Sequence, residues 1–158
     1  RQYQLEGATP LVGISVREWK SWDYYKKILA QAADTIIAEQ GARVVFLPMQ
    51  YPDDLGVARK IADMMEHGAT VLDGEYTTSE LLSLVGNLDM LIGVRLHALI
   101  FAAIMQVPMV GISYDPKIDR FLEMIGESPV GTLQDLTAGA LVEKVKALFS
   151  EREKSSAR

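Results

Sequence analysis

Arg95 and His97 stand two residues apart in Gly93-Val94-Arg95-Leu96-His97, with apolar residues before and after them. A guanidinium fork and an imidazole are unusual choices for a turn between an apolar strand and an apolar helix. Together they suit a small anion held next to a group that can give up or take a proton. Gly93 at the junction permits a tight turn and close approach of a ligand. The helix expected from about Arg95 has no Ser, Thr, Asp or Asn where a side-chain cap would lie, so its first N–H groups need another acceptor. An anion would supply one. A plainer possibility stays open on these residues alone: Arg95 pairs with a carboxylate and His97 caps a carbonyl.

These residues need a scaffold, and the chain is long enough for one. It has 158 residues, 49% hydrophobic and 23% charged, which is the composition of one globular domain with a real core. The formal net charge of -5 argues against a broad nucleic-acid face. There is no cysteine, hence no disulfide framework or Cys-based metal site, and two histidines are too few for a histidine cluster. No apolar run approaches twenty residues, so no transmembrane segment is expected. The chain opens at Arg1 without a basic-then-apolar leader and reads as part of a longer protein.

Strands of four to seven apolar residues alternate with longer helical patterns. Residues 11–17, 43–48, 69–72, the run ending at Gly93, 107–113 and a very short piece at 129–131 read as strands. Helices fall between them. The first runs to Gln40, capped by Ser21 and ended by Gly41. The second, capped by Asp53 or Asp54, runs to about Glu66. Thr77 and Glu80 have capping-box spacing for the third. Asp115 and Pro116 open the fifth, to about Ile125. The last spans roughly 136–149. Residues 1–9 read as a linker or an N-terminal remnant, 10–150 as the domain and 151–158 as a charged tail. This pattern predicts an α/β fold with a doubly wound, mostly parallel, Rossmann-like sheet.

With strand order 3-2-1-4-5, the switch point lies between strands one and four, and ligands bind outside the carboxyl ends there. Arg17 ends strand one, Arg95 and His97 follow strand four, and Tyr114 to Lys117 follow strand five. Two arginines and a histidine at that edge suggest an anion bearing phosphate and carboxylate, shared between Arg17 and Arg95. Lys117 could add a point charge or could be a solvated first-turn lysine. Asp115 and Asp119 are explained by capping and surface roles, so no metal site is expected. His67, at a helix C-terminus, reads as structural. Trp19 and Trp22 form either a lid or docking surface, or a hydrophobic plug. Nothing matches a P-loop, a GxSxG elbow or a dinucleotide fingerprint.

The run from Gly93 to Ala103 with Arg95-Leu96-His97, continued by Val107-Pro108-Met109-Val110-Gly111-Ile112-Ser113-Tyr114-Asp115-Pro116-Lys117, resembles the signature of polysaccharide pyruvyl transferases. The likeness is greatest to the bacterial cell-surface branch that pyruvylates a wall-linked sugar on which S-layer proteins dock. The resemblance implies the C-terminal half of a GT-B fold that binds phosphoenolpyruvate as co-substrate, with no other cofactor. It implies Arg17 and Arg95 on the donor's phosphate and carboxylate, Leu96 as backbone contact or wall, and His97 as general acid. Gly93 and Lys117 complete the expected donor site. The implied acceptor is a lipid-linked glycan bound mainly by an N-terminal half. The implied location is cytoplasmic, at the inner face of the membrane in the peripheral case. Two other classes are kept beside it: a nucleotide-sugar GT-B glycosyltransferase, with Asp73 or Glu75 on a ribose, and a non-enzymatic Rossmann-like domain whose arginines only form salt bridges.

Overall fold

A computed structural model describes residues 9–20 and 22–156, with side chains described up to residue 152. Six parallel strands form one sheet in the order β3-β2-β1-β4-β5-β6. The strands are β1 (Leu11–Ser15), β2 (Arg43–Phe46), β3 (Thr70–Val71), β4 (Met90–Gly93), β5 (Met109–Ser113) and β6 (Gly131–Thr132). The helices are α1 (Tyr24–Gln40), α2 (Asp53–Met64), α3 (Thr78–Gly86), α4 (Leu96–Ile104), α5 (Pro116–Met124) and α6 (Ala138–Ser156). The doubly wound parallel architecture expected from the alternation is therefore present, and β6 extends the expected order at the β5 edge.

Each strand buries alternate residues on opposite faces. Val12, Ile14, Val44, Phe46, Ile92 and Ile112 pack with residues of α1, α2 and α6. Leu11, Val45, Leu47 and Leu91 pack with residues of α3, α4 and α5. Both faces are dry, so the strands read as continuous apolar runs rather than as alternation. Two strand glycines admit the second helical layer closely. A Cβ on Gly93 would lie 2.8 Å from Leu99 of α4, and one on Gly111 would lie 2.6 Å from Leu122 of α5.

Helix ends follow their local chemistry. Gly41 ends α1 with φ 65°, a left-handed conformation in which a Cβ is disfavoured. The capping box of Thr77 and Glu80 is present, and Asp115 Oδ1 accepts the Lys117 N–H at 2.8 Å ahead of Pro116. Several expected ends move. Ser21, the expected cap of α1, lies outside the described residues, and Asp23 precedes that helix without a side-chain cap bond. Asp53 and Asp54 both lie inside α2 rather than capping it. That helix stops before Glu66 because Asp34 of α1 takes the chain leaving it. Its carboxylate accepts the N–H groups of Glu66 (2.9 Å) and His67 (2.9 Å). Strand β5 begins at Met109, since the Val107 N–H turns back to the Ala102 carbonyl at 2.8 Å. Helix α6 starts behind Thr137, whose hydroxyl accepts the Ala140 N–H, and continues past Phe149 to Ser156.

The His67 ring also lies 3.2 Å from Asp34, so His67 ties α2 to α1 in a structural role. Partial burial pushes the Asp34 carboxyl upward, but the two N–H groups and the His67 ring outweigh it. The net pKa lies below the ordinary value of 3.8. A carboxylate depressed in this way stabilises the fold fully above that ordinary value and loses its contribution as pH falls through the lower folded value. Asp34→Ala should therefore reduce stability by about 1–2 kcal/mol at neutral pH. Urea melts at neutral and strongly acidic pH check this, because the gap between variant and parent should close in acid.

Candidate functional site

The carboxyl edge of the sheet carries an open cleft of about 170 Å³ lined by Gln50, Arg95, Leu96, His97, Tyr114, Asp115, Lys117 and Ile118. These residues come from the loops after β2, β4 and β5 and from the first turns of α4 and α5. The topology brings Arg95, Leu96, His97 and Lys117 to one place although Lys117 is twenty or more residues away in sequence from the others.

Arg95 occupies the N-cap position of α4 in extended conformation and offers no side-chain cap. The carbonyl of Arg95 accepts the N–H groups of Ala98 (3.1 Å) and Leu99 (3.3 Å). The N–H groups of Leu96 and His97 are left without a capping acceptor among the described residues. The absent cap expected from sequence is thus a property of the fold, and it falls at Leu96 and His97, two residues that line the cleft. The His97 side chain is exposed there, as is Lys117.

The Arg95 guanidinium is held side-on by Asp54 of α2. Nη2 donates to Oδ1 at 2.7 Å and Nε to Oδ2 at 3.2 Å. Asp54 is buried to 1% exposure, and Arg95 keeps 15%. The plainer pairing left open for Arg95 is therefore made, while Arg95 also lines the cleft. Asp54 went unrecognised in the sequence as anything but a cap. Its one local signal was redundancy: Asp53 beside it could satisfy the helix start alone. Gln50, in the loop between β2 and α2, likewise carries no local signal of a cleft residue.

Arg17 stands apart from the cleft lining. Its guanidinium lies 4.6 Å from the Tyr114 ring centroid, and Nη1 donates to the Tyr114 hydroxyl at 2.7 Å. Arg17 thus meets the cleft through Tyr114, one of its walls. Its backbone is fixed from α1, where the buried Tyr25 hydroxyl donates to the Arg17 carbonyl. Burial pushes the Tyr25 phenol well above its ordinary value, so it remains a donor. The neighbouring Lys26, 2% exposed, donates to both oxygens of Glu18 at 2.9 and 2.8 Å. The start of α1 therefore clamps the loop behind Arg17. In that loop Trp19 and Trp22 meet edge to face at 6.2 Å, and the Trp22 indole donates to the Leu133 carbonyl at 3.1 Å. Trp19 also packs on the core, while Trp22 stays 40% exposed.

Gly93 sits behind the site. Leu99 fills the space beside its Cα, which makes its smallness a packing requirement. Ser15 Oγ, across the ladder from Gly93, is buried and has no hydrogen-bond partner among the described residues. Asp115 is occupied as the α5 cap. Asp73 is exposed, 3.7 Å from Arg59, and neither it nor Glu75 lines the cleft. Among the described residues no group of three or more His, Cys, Asp or Glu could hold a metal ion. No described helix is long and apolar enough to cross a membrane.

A family model described as polysaccharide pyruvyl transferase matches residues 3–116, most of the chain and all of the Gly93 to His97 stretch. The chain belongs to that family. No curated protein matches the sequence of this polysaccharide pyruvyl transferase family member. Solved structures give its fold. It resembles the E. coli ADP-heptose lipopolysaccharide heptosyltransferase II, with TM-score 0.72 and 18% identity over 96% of this chain and 50% of that one. It also resembles E. coli heptosyltransferase WaaC with ADP, with TM-score 0.59 and 15% identity over 88% of this chain and 44% of that one. The glycosyltransferase SnogD from Streptomyces nogalater gives TM-score 0.58 and 20% identity over 92% and 36%. The chain spans half or less of the length of each. It is a Rossmann-like domain of the GT-B type.

Titration with inorganic phosphate, followed by amide NMR, should shift the signals of Leu96, His97 and Lys117 and leave those of Glu66 and His67 in place. Equal movement at both ends of the molecule would count against a localised anion site.

Proposed function

We propose that this domain binds the phosphate-bearing donor of a transfer reaction, and that the donor is phosphoenolpyruvate. The observation that carries the reading is the uncapped start of α4 opening into a cleft walled by Arg95, His97 and Lys117. Free N–H groups, a forked cation and a point charge at one place suit phosphate. Family membership supports a pyruvyl donor among phosphate-bearing ones. A cleft of about 170 Å³ is also small beside the 300–1,000 Å³ that drug-sized ligands occupy, and it suits a compact anion.

On this reading His97 gives a proton to the methylene carbon of the enol, and positive character develops at the adjacent carbon. One hydroxyl of the acceptor sugar adds there and loses its proton. Phosphate leaves with the proton of the first hydroxyl, a second hydroxyl adds and returns its proton to His97, and a pyruvate ketal results. Arg95, with Lys117 beside it, stabilises the phosphate as it departs, Arg17 borders the same site through Tyr114, Leu96 forms the wall, and Gly93 lets α4 sit against the sheet. The acceptor is a glycan of the cell surface, carried on a lipid and held mainly by a further half of the protein. The location that goes with this reading is the cytoplasm, at the inner face of the membrane in the peripheral case.

The likeness to heptosyltransferases, one of them solved with ADP, favours a second reading in which the phosphates belong to a nucleotide sugar. Calorimetry of the full protein with phosphoenolpyruvate, ADP and UDP-sugars separates the two. Phosphoenolpyruvate should bind and the nucleotides should not. Tight nucleotide binding with no phosphoenolpyruvate binding would select the second reading. Arg95→Lys should weaken the donor about tenfold, since lysine keeps the charge and loses the fork. His97→Asn should lower kcat by about 10²- to 10⁴-fold while donor affinity stays within a few-fold. Near-normal turnover in H97N would remove His97 from the chemistry.

A further inference from the structure

We infer that Asp54 is the positioning residue of the donor site, fixing both the aim of Arg95 and the opposite wall at Gln50; this rests on the reading of Arg95 as a donor ligand. Asp54 lies in the first turn of α2, and both its oxygens are used. Oδ1 accepts from Arg95 Nη2, and Oδ2 accepts from Arg95 Nε and from the Gln50 N–H at 2.9 Å. The Gln50 carbonyl in turn accepts the Asp54 N–H at 2.9 Å. One carboxylate therefore closes the loop between β2 and α2 and joins it to the N-cap of α4. The two elements it joins both line the cleft.

The geometry of the pair separates this role from that of an ordinary ion pair. A guanidinium has five N–H donors in one plane. Asp54 engages the Nε–Nη2 side and leaves Nη1 with no partner among the described residues. Arg95 is thereby locked in one orientation with donors still to spend. A flexible arginine would lose side-chain entropy on meeting an anion, whereas a clamped one has already lost it on folding. The Asp54 charge is itself compensated by the Gln50 N–H and by the start of α2, where a carboxylate is favoured. The clamp hence does not consume the whole of the arginine.

The opposite effect is also physically possible. Asp54 could compete with the anion for Arg95, in which case its removal would tighten binding. A double-mutant cycle in the full protein decides among the cases, using phosphoenolpyruvate and inorganic phosphate as probes. Asp54→Asn is nearly isosteric and can still accept the Gln50 N–H, but its amide cannot hold the fork. Asp54→Asn should weaken phosphoenolpyruvate about 10- to 100-fold. In an Arg95→Ala background the same change should add almost nothing. KM for the acceptor should not move in either background.

Three results overturn the inference: unchanged or tighter donor binding in D54N, full additivity with R95A, or a loss that falls equally on the acceptor. Unchanged binding in R95A alone has a different meaning, since it removes the donor reading itself. Should D54N fail to fold, Asp54→Glu supplies the test. It keeps the charge, displaces the guanidinium by one methylene, and should still weaken phosphoenolpyruvate. Parent-like affinity in D54E would then overturn the inference.

Discussion

A parallel sheet flanked by helices on both faces has no wet side. In this domain β1, β2, β4 and β5 are buried above and below, and the apolar clusters on the two faces share almost nothing but the sheet itself. A charged side chain on a central strand would lose its hydration without a partner, a cost that no nearby group could offset. Polar chemistry is therefore confined to the ends of strands and the loops that follow. The sheet order adds a second restriction. Chain leaving β1 turns one way to α1, and chain leaving β4 turns the other way to α4, so a gap opens between them at the carboxyl edge. Arg17 and Arg95 are the residues on either side of that gap, and they are steadied by α1 and α2, both helices of one face.

The steadying follows one pattern with different groups. Behind Arg17, the first turn of α1 supplies Tyr25 to the Arg17 carbonyl and Lys26 to Glu18. Behind Arg95, the first turn of α2 supplies Asp54. Burying a lysine and a carboxylate in these turns is costly alone and tolerable only with well-made partners. Both are nearly inaccessible, at 2% and 1%, and both have them. Breaking either pair would leave a buried charge uncompensated, so the two clamps are structural commitments as well as local bonds.

Much of this was legible in the amino-acid order. Apolar runs and capping signals marked the strands, most helices and the doubly wound class, and the box at Thr77 and the cap at Asp115 formed as their spacing required. The bare start of α4 was readable because a missing cap is a local fact. What escaped the reading was partnership over distance. Asp54 lies forty-one positions from Arg95 in sequence, and nothing near it distinguishes a carboxylate that caps a helix from one that turns inward. Asp34 ended α2 from another helix, an influence that periodicity within α2 cannot carry. Lys26 was indistinguishable from a surface lysine until Glu18 folded over it. Gly93 was read for ligand approach, whereas Leu99 fills the space beside it. In each case the tertiary neighbour decided the role.

The family and the fold look at this edge from different sides. Pyruvyl and glycosyl donors differ in the group transferred, yet both present phosphate to the protein, and a helix start with free N–H groups is indifferent to what the phosphate carries. Discrimination must come from the groups around it. A nucleotide needs a flat apolar slot for its base and a carboxylate for its ribose; the carboxylates considered for that task, Asp73 and Glu75, lie outside the cleft lining, and Asp115 is occupied as a cap. A small enol phosphate needs neither. It needs a cation aimed in one direction and a proton donor within reach of carbon, which Arg95 and His97 can supply only if they do not share a regular helix face. They meet that condition here because Arg95 is still extended at the N-cap and His97 is already in the first turn of α4. The proposed chemistry thus depends on where one helix begins, and that start is held in place by a carboxylate on another.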